Sequence, residues 1–155
     1  MRIRIVALGQ RLPAWVAAGF DDYARRLPRE FALELIELKP EARDRGRTVA
    51  QILAAEGKRI TDATRGYLVV ALDERGKGWR TSQLAEQLRL WRERGQAVAF
   101  VIGSADGLAD PVKRNADVII ALSALTLPHG LARVVLAEQI YRAASLLSGH
   151  PYHRE

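Results

Sequence analysis

The segment that decides the fold is the last quarter of the chain, residues 122–155, with the sequence LSALTLPHGLARVVLAEQIYRAASLLSGHPYHRE. All three histidines of the protein lie within it: His129, His150 and His153. Its centre carries the strongest helical pattern of the sequence, with Leu136, Ile140 and Leu147 in one apolar stripe. Apolar residues also occupy most other sides of this helix, and such a helix needs burial on most sides. A second subunit would supply that burial, so we expect a homodimer.

Upstream of this segment, short apolar runs alternate with amphipathic ones. Strands are predicted at Arg2–Ala7, Phe31–Leu38, Tyr67–Leu72, Ala97–Ile102 and Val118–Ala121, and helices at Pro13–Leu27, Thr48–Thr64, Ser82–Arg94 and Pro111–Asn115. The continuous apolar runs YLVVAL and AVAFVI are typical of parallel strands buried on both faces. The alternation predicts an α/β three-layer sandwich with a mainly parallel sheet, and the length favours a single domain of residues 1–155.

Three of the predicted strands end in unusual loops. They are Leu72-Asp73, Ile102-Gly103 and Ala121-Leu122-Ser123. Ligands of such sheets bind beyond the carboxyl ends of the strands, so neighbouring strands would bring these loops to one crevice. Gly103 and Gly107 suggest backbone that approaches a ligand closely, although a plain turn explains them equally well. The usual glycine-rich loops for dinucleotides and nucleoside triphosphates are absent from the sequence.

Composition narrows the functional class. The formal net charge is +6, which favours a polyanionic partner, and the arginines are scattered over many elements rather than forming a membrane-surface helix. The chain has no cysteine and no apolar run of membrane-spanning length, so we predict a cytoplasmic protein with no membrane association. The polar run KPEARDRGR at residues 39–47 predicts a mobile loop, most simply a solvated one, with RNA contact as the alternative.

Several smaller patterns have two interpretations. Glu138 and Arg142 are four residues apart, which suits a helix ion pair as well as a catalytic or RNA-contacting role. His150 and His153 are spaced like metal ligands, but Pro151 interrupts them and a third ligand is missing, so we predict no metal. Residues 76–78, Gly-Lys-Gly, are interpreted as a flexible turn.

Four segments together resemble a known family. They are LSALTLPHGLARVVLAEQIYRA, the ending HPYHRE, the strand and loop FVIGSADGL, and the opening RIVALG. They closely resemble the large-subunit rRNA pseudouridine N3-methyltransferases, the RlmH family of the SPOUT superfamily, over essentially the whole chain. Two positions depart from the family pattern. Ser104 replaces the usual second glycine of a turn and fits if its φ is negative, and Gly130 is expected to loosen the start of the last helix.

The resemblance implies a fold, a cofactor and partners. The C-terminal part of the α/β fold would form a trefoil knot, and the protein would be a homodimer. S-adenosylmethionine would be the methyl donor. The substrate would be a pseudouridine in a stem-loop of large-subunit rRNA, recognised on the assembled ribosome. The residues matching the donor pocket are Leu72, Gly103, Leu122, Ser123, Ala124, Leu125, Thr126 and Leu127.

The resemblance leaves the catalytic step open, because the proton on N3 of pseudouridine must leave before or during methyl transfer. His129 is the first candidate to assist, since histidine titrates near neutral pH. Glu138 is the second, although pairing with Arg142 would weaken it as a base. The third possibility is proton loss to solvent, with arginines such as Arg142 stabilising the anion.

Contacts with rRNA are predicted from a second set of side chains. Arginines are expected on phosphates and Tyr152 on the extruded base, and the tail is expected to reach the partner's pocket. The predicted RNA-binding residues are Arg133, Tyr152, His153 and Arg154. The alternative function is a non-catalytic RNA- or ribosome-binding α/β protein with a vestigial pocket. A nucleotide hydrolase is disfavoured, since a phosphate loop and a carboxylate metal cluster are both missing from the sequence.

Overall fold

The computed structural model describes residues 1–152 of the chain, in which strands and helices alternate. The elements are β1 (Arg2–Leu8), α1 (Ala14–Arg26), β2 (Ala32–Leu38), α2 (Val49–Ala63), β3 (Leu68–Gly78), α3 (Thr81–Glu93), β4 (Val98–Ile102), α4 (Asp110–Asn115), β5 (Val118–Ala121) and α5 (His129–Ser148). Each predicted strand and helix is present. The largest difference is in β3, which continues through most of the predicted loop at residues 73–80.

The strands form one five-stranded sheet in the order β2-β1-β4-β3-β5, and every neighbouring pair is parallel. Each residue of β4 is buried, as expected for a central parallel strand covered on both faces. The predicted parallel sheet is therefore confirmed. The order also makes β4, β3 and β5 neighbours, so their carboxyl ends lie side by side.

Helices cover both faces of the sheet, and two separate groups of buried side chains fill the spaces. Alternate residues of β1 point to opposite faces: Ile3 and Ile5 pack with α1, α3 and α5, whereas Val6 and Leu8 pack with α2 and α4. The predicted three-layer sandwich is the observed architecture.

Helix α5 is buried largely within its own chain. It packs against α1 on one side and α3 on the other, and also contacts β1 and β4. Leu136, Ile140 and Ala144 are fully buried as a result. A second subunit is therefore not needed to explain the apolar character of this helix, and the sequence argument for a dimer loses its premise.

The start of α2 and the end of α5 have well-defined caps. The Thr48 hydroxyl accepts a hydrogen bond from the Gln51 amide at 3.1 Å, and the Gln51 side chain accepts one from the Thr48 amide at 3.0 Å. At the other end of the chain, Gly149 has a φ of 69°, and the His150 amide donates to the Ser145 carbonyl at 2.9 Å. This left-handed cap ends α5 and turns the chain back.

The extension of β3 passes closely over β5. Ile120 of β5 pairs with Leu72, just before the extension, and again with Lys77, near the end of the extension. A Cβ placed on Gly76 would lie 2.5 Å from the carbonyl carbon of Ile120, so only glycine fits here without a shift. The interpretation of residues 76–78 as a flexible turn is therefore wrong. The glycine is needed because two backbones touch.

No helix within residues 1–152 is both long and apolar enough to cross a membrane.

Candidate active site

A cavity of about 700 Å³ lies at the carboxyl ends of β3, β4 and β5. Residues from the ends of all three strands line it, together with the start of α5. The three loops converge because their strands are parallel neighbours. The crevice predicted from the sequence is confirmed.

The turn after β4 forms one wall of this cavity. The Gly107 amide donates to the Ser104 carbonyl at 2.9 Å, and Gly107 has a φ of 82°. A Cβ on Gly103 would lie 2.5 Å from the Gly107 carbonyl oxygen, so glycine is required to close the turn. Ser104 lies outside the positive-φ region, which is the condition under which a serine fits.

The segment after β5 forms the opposite wall. Leu122, Ser123, Leu125, Thr126 and Leu127 all line the cavity, as do Leu72 and Gly103. Of the residues matched to the donor pocket, Ala124 alone does not line it. The Ser123 hydroxyl accepts from the Leu125 amide at 2.9 Å and so holds the segment in a turn. The Leu125 side chain is 77% exposed at the rim.

His129 is the first residue of α5 and lines the cavity. A Cβ on Gly9 would lie 3.4 Å from its Nε2, so the imidazole packs against the backbone after β1. The neighbouring Gly130 faces α1, where a Cβ would lie 3.3 Å from a methyl group of Val16. A close packing contact, rather than a loosened helix start, is therefore the structural consequence of this glycine.

Arg133 lies one turn after His129 and is only 1% exposed. Its guanidinium donates to a Glu37 carboxylate oxygen at 2.8 Å and to the Gly9 carbonyl at 3.4 Å. Within residues 1–152, its Nε has no hydrogen-bond partner. The guanidinium is thus held inside this chain by a carboxylate, and the contact of Arg133 with rRNA phosphate stays a prediction. Its partner on β2 could not be inferred from helix periodicity.

Glu138 and Arg142 form the ion pair expected from their spacing, with Arg142 Nη2 2.6 Å from Glu138 Oε1. The hydrogen bond to Glu138 raises the pKa of the Arg142 guanidinium above its ordinary value. Neither residue lines the cavity. Glu138 follows His129 by nine residues, which is about 13 Å along a helix. Within one chain, Glu138 and Arg142 therefore lie apart from His129, and their catalytic role stays a prediction.

Tyr152 packs on the same part of α5. Its hydroxyl donates to Glu138 at 3.1 Å, and its ring lies 4.4 Å from the Tyr141 ring and 4.9 Å from the Arg142 guanidinium carbon. Burial, followed by the charge of Glu138, raises the pKa of Tyr152 to about 12. The ring lies away from the cavity, and its stacking on a base stays a prediction. His153 and Arg154, also predicted to bind RNA, lie outside the described residues.

A buried carboxylate behind the cavity was missed from the sequence. Glu56 is 1% exposed and accepts from the Ser104 hydroxyl at 2.8 Å and from the Glu41 amide at 3.0 Å. Arg43 joins Glu56, Ser104 and Asp106. The loop at residues 39–47 is thus held by ion pairs, contrary to the predicted mobile loop. The available signal was an acidic residue at a stripe position of α2.

The chemistry of the cavity is that of a small-molecule site. Its volume and mixture of leucine side chains with exposed backbone are typical of pockets for nucleoside-sized ligands. Within the described part of the chain, no group of three or more His, Cys, Asp or Glu side chains is arranged to hold a metal ion.

Comparisons with known proteins agree with this geometry. The family model described as "Predicted SPOUT methyltransferase" matches residues 1–153. Proteins named ribosomal RNA large subunit methyltransferase H from Burkholderia mallei (strain SAVP1) and Burkholderia pseudomallei (strain K96243) are each 53% identical over 155 residues, covering 99% of both chains.

Solved structures share the fold at low identity. A probable methyltransferase from Bordetella pertussis has a TM-score of 0.57 at 19% identity, covering 92% of this chain and 96% of that chain. A probable methylase family protein from Haemophilus influenzae has a TM-score of 0.60 at 14% identity, covering 99% of this chain and 70% of that chain.

Proposed function

This chain belongs to the SPOUT methyltransferase family, and from that premise we propose that it methylates ribosomal RNA of the large subunit. One observation carries the proposal. The cavity at the ends of β3, β4 and β5 presents a glycine turn, a leucine-lined loop and one imidazole. The 53% identity to proteins named as rRNA large subunit methyltransferases supplies the substrate class.

The proposed methyl donor is S-adenosylmethionine. When bound, it supplies an activated methyl group on a sulfonium sulfur. The turn at residues 103–107 offers backbone for a nucleoside, because Gly103 has no side chain there. Leu72, Leu122 and Leu127 provide apolar contact and exclude water. These residues would hold the donor and align it, which is the main requirement when the methyl group is already reactive.

The proposed acceptor is N3 of a pseudouridine in an rRNA stem-loop on the assembled ribosome. His129 is the candidate for taking the N3 proton, since its imidazole lies on the cavity wall at the start of α5 and histidine titrates near neutral pH. Glu138 is disfavoured in this role within one chain, because it does not line the cavity. Proton loss to solvent remains the second route.

We propose that the enzyme works as a homodimer in which Glu138, Arg142 and Tyr152 act at the partner's cavity. The support is their separation from the cavity of their own chain, combined with their mutual hydrogen bonds. Mixed dimers test this arrangement. Coexpressed His129→Ala and Arg142→Ala chains would regain activity that neither variant has alone. Equal inactivity of the mixture would contradict shared sites.

The proposal includes a trefoil knot in a single domain of residues 1–155. Ile120 pairs with Leu72 and again with Lys77, so the intervening segment closes a short loop beside β5. The close contact between the Gly76 and Ile120 backbones brings two distant segments of the chain together at this edge of the sheet, as the proposed knot requires.

The proposed location of the protein is the cytoplasm, because its proposed substrate is ribosomal.

A methylation assay tests the proposed function directly. The purified chain is mixed with methyl-labelled S-adenosylmethionine and with free large subunits or whole ribosomes from a strain lacking the corresponding methyl group. Mass mapping of the rRNA then locates the label. We expect one labelled pseudouridine, with more label on whole ribosomes than on free subunits. Label at no nucleotide of the large-subunit rRNA would contradict the substrate class.

The non-catalytic alternative is not favoured, because the cavity retains its glycine turn and its imidazole. Calorimetry with S-adenosylmethionine separates the two functions. Micromolar binding is expected of the enzyme, whereas an adaptor with a vestigial pocket would bind ribosomes without binding the donor.

A further inference from the structure

Four side chains join the cavity's glycine turn to α2 and to the loop that precedes α2. The Ser104 hydroxyl donates to Glu56 at 2.8 Å, and Arg43 donates to Ser104 at 3.0 Å and to Asp106 at 2.8 Å. Ser104 and Asp106 both belong to the turn between Gly103 and Gly107. Arg43 and Glu56 come from the loop after β2 and from α2. The four residues are called the clamp below.

The clamp is built around a charge that is costly to bury. Glu56 is 1% exposed, and a buried carboxylate is tolerated only when its oxygens are well satisfied. One oxygen accepts from Ser104, and the other accepts from the Glu41 amide and from Arg43. Because loss of the turn's position would leave Glu56 short of partners, the carboxylate resists movement of the turn.

The turn needs this support because its own bonds are few. An antiparallel bridge between Ser104 and Gly107, with a hydrogen bond from the Gly107 amide to the Ser104 carbonyl, closes it, and Ala105, Asp106 and Gly107 are exposed. The two glycines at its ends also give the backbone more conformational freedom than other residues would. The clamp therefore contributes most of the polar contacts that fix this wall of the cavity.

We propose that Arg43, Glu56 and Ser104 are positioning residues that set the affinity for the methyl donor without taking part in methyl transfer. The inference rests on the proposed function, since it assumes that the donor binds at the Gly103–Gly107 turn. A turn held in its binding geometry loses less conformational entropy when the ligand arrives. Removing the clamp should thus weaken donor binding and leave the chemical step alone.

The loop at residues 39–47 offers a matched pair of variants. Arg43 and Arg47 have side chains of similar exposure, 38% and 34%, and both pair with carboxylates. Arg47 contacts Glu41 and does not contact the turn. Arg43→Ala should raise the dissociation constant for S-adenosylmethionine about tenfold, as expected for loss of charged hydrogen bonds. The dissociation constant of Arg47→Ala should stay within about twofold of the wild-type value.

The measurements are calorimetric donor binding and steady-state kinetics on ribosomes. With Arg43→Ala, the KM for the donor should rise while kcat at saturating donor is retained. Ser104→Ala should behave similarly, and Ser104→Thr, which keeps the hydroxyl, should recover most of the affinity. Thermal unfolding identifies any variant that is globally destabilised.

The outcomes separate two failures. Wild-type affinity in Arg43→Ala, or equal weakening in Arg47→Ala, would overturn the clamp. A loss of kcat without a change in donor KM would overturn it as well. Absence of donor binding by the wild-type chain would instead overturn the proposed function.

Discussion

The two ends of α5 carry different kinds of polar residue for different surroundings. At its start, His129 faces a cavity whose walls come from three strand ends. In its second half, Glu138 and Arg142 pair with each other and with Tyr152, away from that cavity. One chain therefore holds a cavity at the start of α5 and, separately, a polar cluster that does not line it. The difference teaches that residues adjacent in a sequence motif need not act at the same place.

The largest expected effect on activity comes from substitution at the start of α5, which faces the cavity. His129→Ala should lower kcat about 100-fold, the usual scale for loss of a general base, while the dissociation constant for S-adenosylmethionine stays within about twofold. Methylation kinetics on ribosomes measure kcat, and calorimetry measures the dissociation constant. Full activity in this variant would remove His129 from the chemistry.

A steric change on the cavity wall ranks next. Gly103→Ala should weaken donor binding about tenfold or more, because its Cβ would meet the Gly107 carbonyl oxygen at 2.5 Å. Gly78→Ala is the control, since nothing lies within 4 Å of its Cβ position. Donor titration of both variants checks the difference. Similar affinities for the two would mean that the turn does not contact the donor.

Substitutions in the second half of α5, where Glu138 and Arg142 lie, should leave the affinity for the donor unchanged. Arg142→Gln removes a partly exposed pair, so the free energy of unfolding should fall by less than about 1 kcal/mol. Donor affinity should match wild type. Chemical denaturation and calorimetry are the measurements. Loss of donor binding would show that the two ends of α5 form one site after all.

The smallest expected effect is a shift in the pH at which Tyr152 ionises. Because burial and Glu138 raise its pKa, Tyr152 should ionise near pH 12 rather than near 10. A raised pKa in the folded state means that the stabilisation is present below pH 10 and is lost as the pH rises towards 12. The difference in tyrosinate absorbance between wild type and Tyr152→Phe checks this. Ionisation near pH 10 would place Tyr152 in solvent instead of on α5.

The architecture was predictable because it depends on local patterns. Continuous apolar runs identified the buried strands, and β5 has the predicted bounds, Val118–Ala121. Convergence of the strand-end loops followed from parallel geometry alone. The residues matched to the donor pocket lie on the cavity for the same reason, except Ala124.

What could not be predicted depends on partners distant in sequence. The Arg133 guanidinium can be buried because it donates a hydrogen bond to the Glu37 carboxylate, 96 residues away in the sequence. Gly76 is constrained by the backbone of Ile120, and Ser104 is held by Glu56 from α2. The periodicity of a sequence does not reveal such pairs. Arg133 was therefore predicted to contact RNA, Gly76 to lie in a flexible turn, and Ser104 to depart from the family pattern.

The left-handed cap at Gly149 sets the path of residues 150–152. Its amide and that of His150 bond back to Leu146 and Ser145, and Tyr152 comes to lie on the helix it has just left. A side chain at position 149 would strain this reversal. The backbone conformation of one glycine thus decides on which part of α5 the Tyr152 ring packs.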